Sequence, residues 1–451
     1  MLEKFFKLKQ HNTNVRTEVL AGITTFMTMA YILAVNPGIL GATGMSAEGV
    51  FMATALAAVI GTLCMALFAN YPFALAPGMG LNAFFAYSVV LTMGYSWQTA
   101  LAAVFIEGII FIVLSLTNVR EMIFNAIPQS LKYAVGGGIG LFIAFIGLQN
   151  AKIVVNNDTT LVTIRDFSEN FHSAGMAAIL ALVGVIITGI LIAKKVKGGI
   201  LIGILATWII GMICEATKLY VPNFELELFS LMPSLKAPNL AAIGDVAGKL
   251  DFKGILTLDF IVVIFTFLFV DMFDTLGTLM GVASKSDMLD KDGKLPKIRG
   301  ALLADAVATS AGALLGTSTT TTYVESATGV SEGGKTGLTA LTTAVLFLAA
   351  IFLSPIFLAI PGFATAPALI IVGFYMMGSV TKINFNDMTD AIPAFICIAA
   401  MPFTYSIAEG IALGVISYTI ITLATGKAKE KKLSPMMMVL AVLFIAKYIF
   451  L

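Results

Sequence analysis

Apolar positions along the chain come in long runs, near 18–36, 49–69, 73–91, 99–116, 134–150, 174–193 and 199–217. A polar stretch, roughly 218–254, interrupts them, and seven more follow near 256–283, 300–316, 321–334, 338–360, 366–380, 390–404 and 407–425. A helix needs about 20 consecutive apolar residues to cross ~30 Å of hydrocarbon, and most of these runs are of that order. The pattern predicts an all-α polytopic membrane protein of fourteen transmembrane segments: seven, a break, and seven. It divides the chain into an amphipathic N-terminus (1–17), a first seven-segment repeat (18–217), an extracytoplasmic connector (218–255), a second repeat (256–425), and a basic stretch with an apolar tail (426–451). The tail, 436–451, is expected to lie at the interface or to pack on the rest. MLEKFFKLKQHNTNVRTEVLAG has no apolar core beside its positive charges, so it reads as a short cytoplasmic helix rather than a cleavable signal.

Two runs are irregular. The third contains YPFALAPGMGLNAFFAY, in which Pro72 and Pro77 cannot donate main-chain hydrogen bonds and Gly78 and Gly80 weaken helix. An extended piece followed by a half-helix starting near Asn82 is expected; the alternative is a Pro-kinked packing helix. The tenth contains GTSTTTTYVESATGV, hydroxylic from Thr317 to Thr322. Such a run favours extended backbone and can satisfy freed main-chain groups, with Ser326 and Thr328 opening a half-helix and Glu325 near its N-terminus. Here the alternative is a Thr-rich packing face. Short or Pro/Gly-interrupted spans at matching places in two halves point to a transporter binding site.

An odd number of segments per half makes the halves face opposite ways. AIPQSLKYAVGGGIGLFIAFIGLQNAKI, from Ala126, and AIPGFATAPALIIVGFYMMGSVTKI, from Ala359, carry a weak trace of that repeat. Basic residues supply the orientation. Of 27 Lys and Arg, six fall in outside segments (Lys152, Arg165, Lys218, Lys236, Lys249, Lys253), Lys447 lies in the tail, and the other twenty fall on the side of the N-terminus. Both termini are therefore expected in the cytoplasm, in a multi-pass protein of the cell membrane.

Composition agrees: 58% hydrophobic and 12% charged, against about 25% charged for a soluble domain. A net charge of +1 gives no reason to expect nucleic acid. Cys64, Cys214 and Cys397 are scattered without metal-ligand spacing, and His11 and His172 fall in expected loops, so neither a metal site nor a hydrolytic triad has material.

Carboxylates inside apolar segments are costly, roughly 2.5–3.5 kcal/mol each on insertion scales, and so are functional candidates. Asp271 and Asp274 lie three apart on one helix face with Thr275 and Thr278, Asp305 lies in the ninth segment, and Glu325 in the tenth. No Lys or Arg accompanies them within the spans, which suits a proton-coupling site. Asp274 could instead cap or bond a nearby Thr or amide, and Asp305 could be a packing residue. A core of carboxylates suits a cation or a neutral solute rich in N–H donors; a basic residue beside Glu325 or Asp271 would favour an anion.

YPFALAPGMGLNAFFAY, FVDMFDTLGT, GTSTTTTYVESATGVSEGGKTGLTA and the opening TEVLAGITTFMTMAYILAVNPGIL resemble the signature segments of the AzgA-like purine nucleobase permeases, within the second nucleobase–cation symporter family. The resemblance runs from about residue 3 to the C-terminus. It implies two inverted repeats of seven segments divided into core and gate domains, a lipid-embedded homodimer, no cofactor beyond the coupled proton, and elevator-like import of adenine, guanine or hypoxanthine. By the same resemblance Asn82 shapes the site, Asp271 and Glu325 contact the purine, Tyr323 lies near it and Asp274 is the adjacent acid of that segment. With Asp274, the positions of Thr275 on the same helix face, Ser326 at the half-helix start and Asp305 in the next segment make them candidates to support the site or carry the proton. Departures from adenine-type members at Gly78-Met79-Gly80 and Asp271 favour hypoxanthine or guanine. Guanine presents N1–H and a 2-amino group side by side, a match for a carboxylate, and a Phe of the third segment or Tyr323 could stack on the ring. The alternatives are a related carrier for xanthine or uracil, an anion transporter, a channel, or a membrane enzyme, which would need a nucleophile beside a base.

Overall fold

The computed structural model describes residues 2–450 except 117–126, 224–225, 227, 234–236, 254, 256, 285–287, 289–294 and 432. The expectations that rest on Arg120, Ala126, Lys236, Lys285, Lys291, Lys294 and Lys432 lie outside the described residues.

The first half runs α1 (Leu2–Phe6), α2 (Val15–Met29), α3 (Ile32–Gly41), α4 (Ala47–Cys64), β1 (Leu75–Pro77), α5 (Met79–Ala83) and α6 (Trp97–Leu116). It continues with α7 (Gln129–Asn150), β2 (Val154–Asn157), β3 (Leu161–Ile164), α8 (Met176–Ala193) and α9 (Gly199–Ala216). The second half runs α10 (Leu258–Ser284), α11 (Ile298–Leu315), β4 (Thr320–Thr322), α12 (Ser326–Ser331), α13 (Gly337–Ala350) and α14 (Ser354–Leu358). It ends with α15 (Gly362–Met377), α16 (Met388–Phe403), α17 (Ile407–Ala424) and α18 (Pro435–Phe450). Side chains cap several starts: Asn14, Ser46, Thr336, Asp387 and Ser406 each accept from a main-chain N–H of the first turn.

Among the described residues, eleven helices are long and apolar enough to cross a membrane, and Met79–Thr92, Met388–Phe403 and Pro435–Ala446 are shorter apolar helices. The protein is thus a helical polytopic membrane protein. The third and tenth runs, expected to be part extended and part half-helix, are interrupted by strands, and the described residues hold two two-stranded sheets. One is the exposed hairpin β2–β3, whose Asn157 Oδ1 accepts from the N–H groups of Thr159 and Thr160 at 2.9 Å each. The hydrophobic runs say nothing of it, because it lies between segments. His172, expected in a loop, lies in a π-helical turn, Phe171–Gly175, that leads into α8.

The helices pack in two groups. In one, α2, α3, α4, α6, α10, α11 and α13 surround β1 and β4; in the other, α7, α8, α9, α15, α16 and α17 pack on one another. Pairings recur between the halves. α2 and α4 lie on α13 as α10 and α11 lie on α6; α9 lies on α8 and α8 on α15 as α17 lies on α16 and α16 on α7. α7 and α15 cross at Gly140 and Gly373, where a methyl on Gly140 would meet the Gly373 carbonyl at 2.6 Å and one on Gly373 would meet the Gly140 carbonyl in turn. Each glycine stands fourteen residues after the Ala of its AIP motif. Only glycine lets two helix backbones approach this closely.

Beyond α17, Lys431 bonds Asp387 and Asp390 at the start of α16, and Ser130 at the start of α7 donates to Asp390 at 3.1 Å. The hydrogen bonds from Lys431 and then from Thr389 hold Asp387 well below the usual carboxylate range. Burial works against charge on Lys431, but its bonds to Asp387 and Asp390 hold it above the usual lysine value. A lowered acid loses its contribution as pH falls through the folded value, and a raised base as pH rises through its own. This clamp is expected to persist at least from about pH 4 to about pH 10. Lys431→Met is expected to speed proteolysis at Lys427 and Lys429 at neutral pH; equal cleavage of parent and variant would count against the clamp.

Candidate functional site

β1 and β4 run antiparallel, Leu75 opposite Thr322, Ala76 opposite Thr321 and Pro77 opposite Thr320. Main-chain groups released from helix at membrane depth must find protein partners, and these strands find each other. The ladder extends beyond them: Gly78 N–H donates to Thr319 O and Tyr323 N–H to Ala74 O, both at 3.0 Å. Hydroxyls satisfy much of the rest. Thr62 donates to Leu75 O at 3.1 Å and accepts from Leu75 N–H at 2.9 Å. Thr309 donates to Thr320 O at 3.0 Å, and Ser326 Oγ accepts from Ala74 N–H at 3.0 Å.

A half-helix leaves each strand. α5 starts at Met79, three residues before Asn82, and continues in π form over Phe84–Thr92. α12 is only six residues long. Gly78 is required at the first junction: a methyl there would lie 2.7 Å from Thr321 Cγ2 and 3.5 Å from Asp274 Oδ2. Asp274 is thereby brought to the start of α5, and Glu325 occupies the position before α12. Glu325 does not cap its own helix; its Oε1 accepts from the Tyr31 hydroxyl at 2.7 Å. Tyr31 stands at the break between α2 and α3, and one turn earlier Thr28 meets Thr328 at 3.0 Å.

The other acids form a layer behind. Thr275 Oγ1 contacts Asp305 Oδ1 at 2.7 Å, Asp271 Oδ1 at 3.1 Å and Thr321 Oγ1 at 2.6 Å. Thr319 donates to Glu107 at 2.7 Å, and Asn36 Nδ2 donates to Thr54 at 2.8 Å and to Thr317 at 3.1 Å. Asn82 accepts from Ser318 and donates to Pro77 O at 3.4 Å, while the Tyr323 hydroxyl donates to the same carbonyl at 2.5 Å.

Exposure separates the two layers. Asn82, Glu107, Asp271, Thr275, Asp305 and Ser326 are 0% exposed and Tyr323 is 6% exposed, whereas Asp274 and Glu325 are only half-buried. Of the residues expected to meet a ligand, Glu325 retains access; Asp271, Asn82 and Tyr323 are committed to the packing behind it. Asp274, expected in a supporting role, is the second accessible acid. Phe73, Phe84 and Phe85 are packed away, so no phenylalanine of the third segment is poised to stack.

Sequence reading passed over Glu107 and Glu18. Both are carboxylates inside apolar runs, and the rule that singled out Asp305 would have found them. Glu18 accepts from Lys335 N–H, Thr336 N–H and the Thr339 hydroxyl, tying α2 to the start of α13. Tyr31 carries no such signal: an aromatic in an apolar run looks like packing.

The profile of the Permease family matches residues 16–413. The guanine/hypoxanthine permease PbuO of Bacillus subtilis is 47% identical over 97% of this chain and 98% of its own. The adenine permease AdeP of Escherichia coli is 43% identical over 100% of this chain and 96% of its own. Among solved structures, the transmembrane domain of a cyanobacterium bicarbonate transporter, BicA, superposes with a TM-score of 0.64 at 17% identity, covering 89% of this chain and 97% of that one. At that identity the likeness concerns the fold alone.

Proposed function

Because the chain belongs to the Permease family and is a transporter rather than an enzyme, we propose that it imports purine nucleobases in symport with protons. Guanine and hypoxanthine are the favoured substrates and adenine is a further one. The observation that carries the reading is the pair of accessible carboxylates, Glu325 and Asp274, each beside the start of a half-helix. Half-helix N-termini turn main-chain N–H groups toward one shared ligand, and the carboxylates accept from its N–H donors. Tyr31 donates to Oε1 of Glu325, and the base would donate to the remaining acceptor sites of the same carboxylate. Guanine N1–H and its 2-amino group would take one oxygen each, since each carboxylate oxygen has two lone pairs, and hypoxanthine N1–H would take one alone.

The fourteen segments form two inverted repeats, the third and tenth entering only part-way. The recurring helix pairings, the crossing at Gly140 and Gly373, and the antiparallel strands centred on Ala76 and Thr321 support that symmetry. The helices around β1 and β4 act as a core that carries the site past a gate made of the other group. Gly80 allows the close approach between them, since a methyl there would meet Ile139 Cγ2 of α7 at 2.6 Å. An elevator-like motion of a homodimer in the cell membrane, N-terminus cytoplasmic, follows from the resemblance and the charge split.

The experiment is uptake of radiolabelled guanine, hypoxanthine, adenine, xanthine and uracil in cells lacking their own permeases. Accumulation of the first three, dependent on an inward proton gradient and abolished by a protonophore, is expected. Uptake confined to uracil or xanthine would overturn the substrate, and accumulation that follows sodium and ignores pH would overturn the coupling.

A further inference from the structure

The tail beyond the second repeat folds as α18, and three contacts fix its course. At its near end, Lys431 holds the preceding loop to Asp387 and Asp390 at the start of α16. Midway, the Phe444 ring lies 6.1 Å from Phe265 of α10. At its far end, the Tyr448 hydroxyl bonds Glu409 in the first turn of α17. α18 therefore runs antiparallel to α17, from the end where α17 finishes to the end where it starts. Its 16 residues span about 24 Å, most of a hydrocarbon core of about 30 Å.

The faces of α18 decide what surrounds it. Met437, Leu440, Ala441 and Phe444 are at most 5% exposed and form the face packed inward. On the other side Val439, Val442, Leu443 and Ile449 are 57–67% exposed, and all are apolar. A helix lying at the membrane surface needs a polar face toward water and headgroups. A helix apolar all round belongs in lipid or in a buried core. The single charge in its sequence, Lys447, falls in the last turn, away from the middle of the helix where a charge would be most costly.

We infer that α18 crosses the bilayer with lipid acyl chains against its outer face, so that the residues after it emerge opposite the loop carrying Lys427, Lys429 and Lys431. Of the two placements expected for the tail, at the interface or packed on the rest, this keeps the packing, and it replaces the expectation of two termini on one side. It does not depend on which solute the protein carries.

Two measurements on the full-length protein in membranes test it, in a background with Cys64, Cys214 and Cys397 replaced and solute-independent folding checked by size exclusion. The first compares S434C with a cysteine placed after Leu451 on a short Gly-Ser linker, using an impermeant maleimide on right-side-out and inside-out vesicles. The two are expected to label from opposite sides. Labelling from the same side, or a tail cysteine protected from both, overturns the crossing. The second places a nitroxide at V442C. Collisions with oxygen exceeding those with a water-soluble nickel complex are expected for a lipid-facing site. Preferential nickel access would put the face in water, and protection from both would assign it to a second copy of the chain; either result overturns the lipid assignment.

Discussion

Glu325→Gln is expected to weaken purine binding roughly 30- to 1000-fold, on the order of 2–4 kcal/mol, while the protein remains folded. The substitution keeps shape and replaces one acceptor oxygen with an amide donor. Tyr31 donates to Oε1 in the unsubstituted protein, so the amide of the variant would keep its oxygen toward that hydroxyl and turn its NH₂ toward the ligand. A purine N–H would then face a donor instead of a charged acceptor. Losing a charge-assisted bond and leaving a donor unmatched in an enclosed site are both costly, and they add. Calorimetric titration of guanine and hypoxanthine into the purified variant reads the loss directly. A folded Glu325→Gln that binds like the parent would move base recognition to Asp274 and the main-chain amides of the half-helices.

The expectation of a site at the third and tenth segments came from residues that weaken helix locally, set against the alternatives of a Pro-kinked packing helix and a Thr-rich packing face. Pro72, Pro77 and Gly78 disfavour a helix, and six consecutive hydroxylic residues are poor material for a lipid-facing one. Extended backbone at both places was legible for that reason. The pairing of Leu75 with Thr322 was not, because a register between segments more than 200 residues apart is set by the packing of every helix between them. The division of labour among the acids was equally hidden. Asp271 and Asp274 share a face by spacing, yet the first is sealed against Thr275 and the second opens beside Gly78. A difference of less than one helical turn decides it, and nothing in the local sequence encodes that. Tyr31 was hidden for another reason: its partner lies in α12's approach, and only the break after Met29 turns it there.

Thr275→Val is expected to destabilise the fold by about 2–4 kcal/mol. The Thr275 hydroxyl has one proton and two lone pairs, and Asp271, Asp305 and Thr321 all stand within 3.1 Å of it. It thus joins α10 to α11 and to β4 at a point with no solvent exposure. Valine nearly preserves the volume but takes away the polar atom through which two carboxyls and a hydroxyl meet. A hydrogen bond to a charged group is worth about 1.5–3 kcal/mol, and water cannot readily replace it in so enclosed a place. Thr188 supplies the comparison. It is equally buried, but its hydroxyl only bonds back to Gly184 O within its own helix at 2.7 Å, so Thr188→Val should cost no more than about 1 kcal/mol. Asp305→Asn, which keeps an acceptor oxygen for Thr275, should fall between the two and should reduce stability or expression more than purine affinity. Unfolding of the purified proteins in detergent by denaturant orders all three, with Thr275→Ser expected to restore most of the loss. If Thr275→Val unfolds with the parent, the acids behind the site are held by their surroundings and not through this hydroxyl.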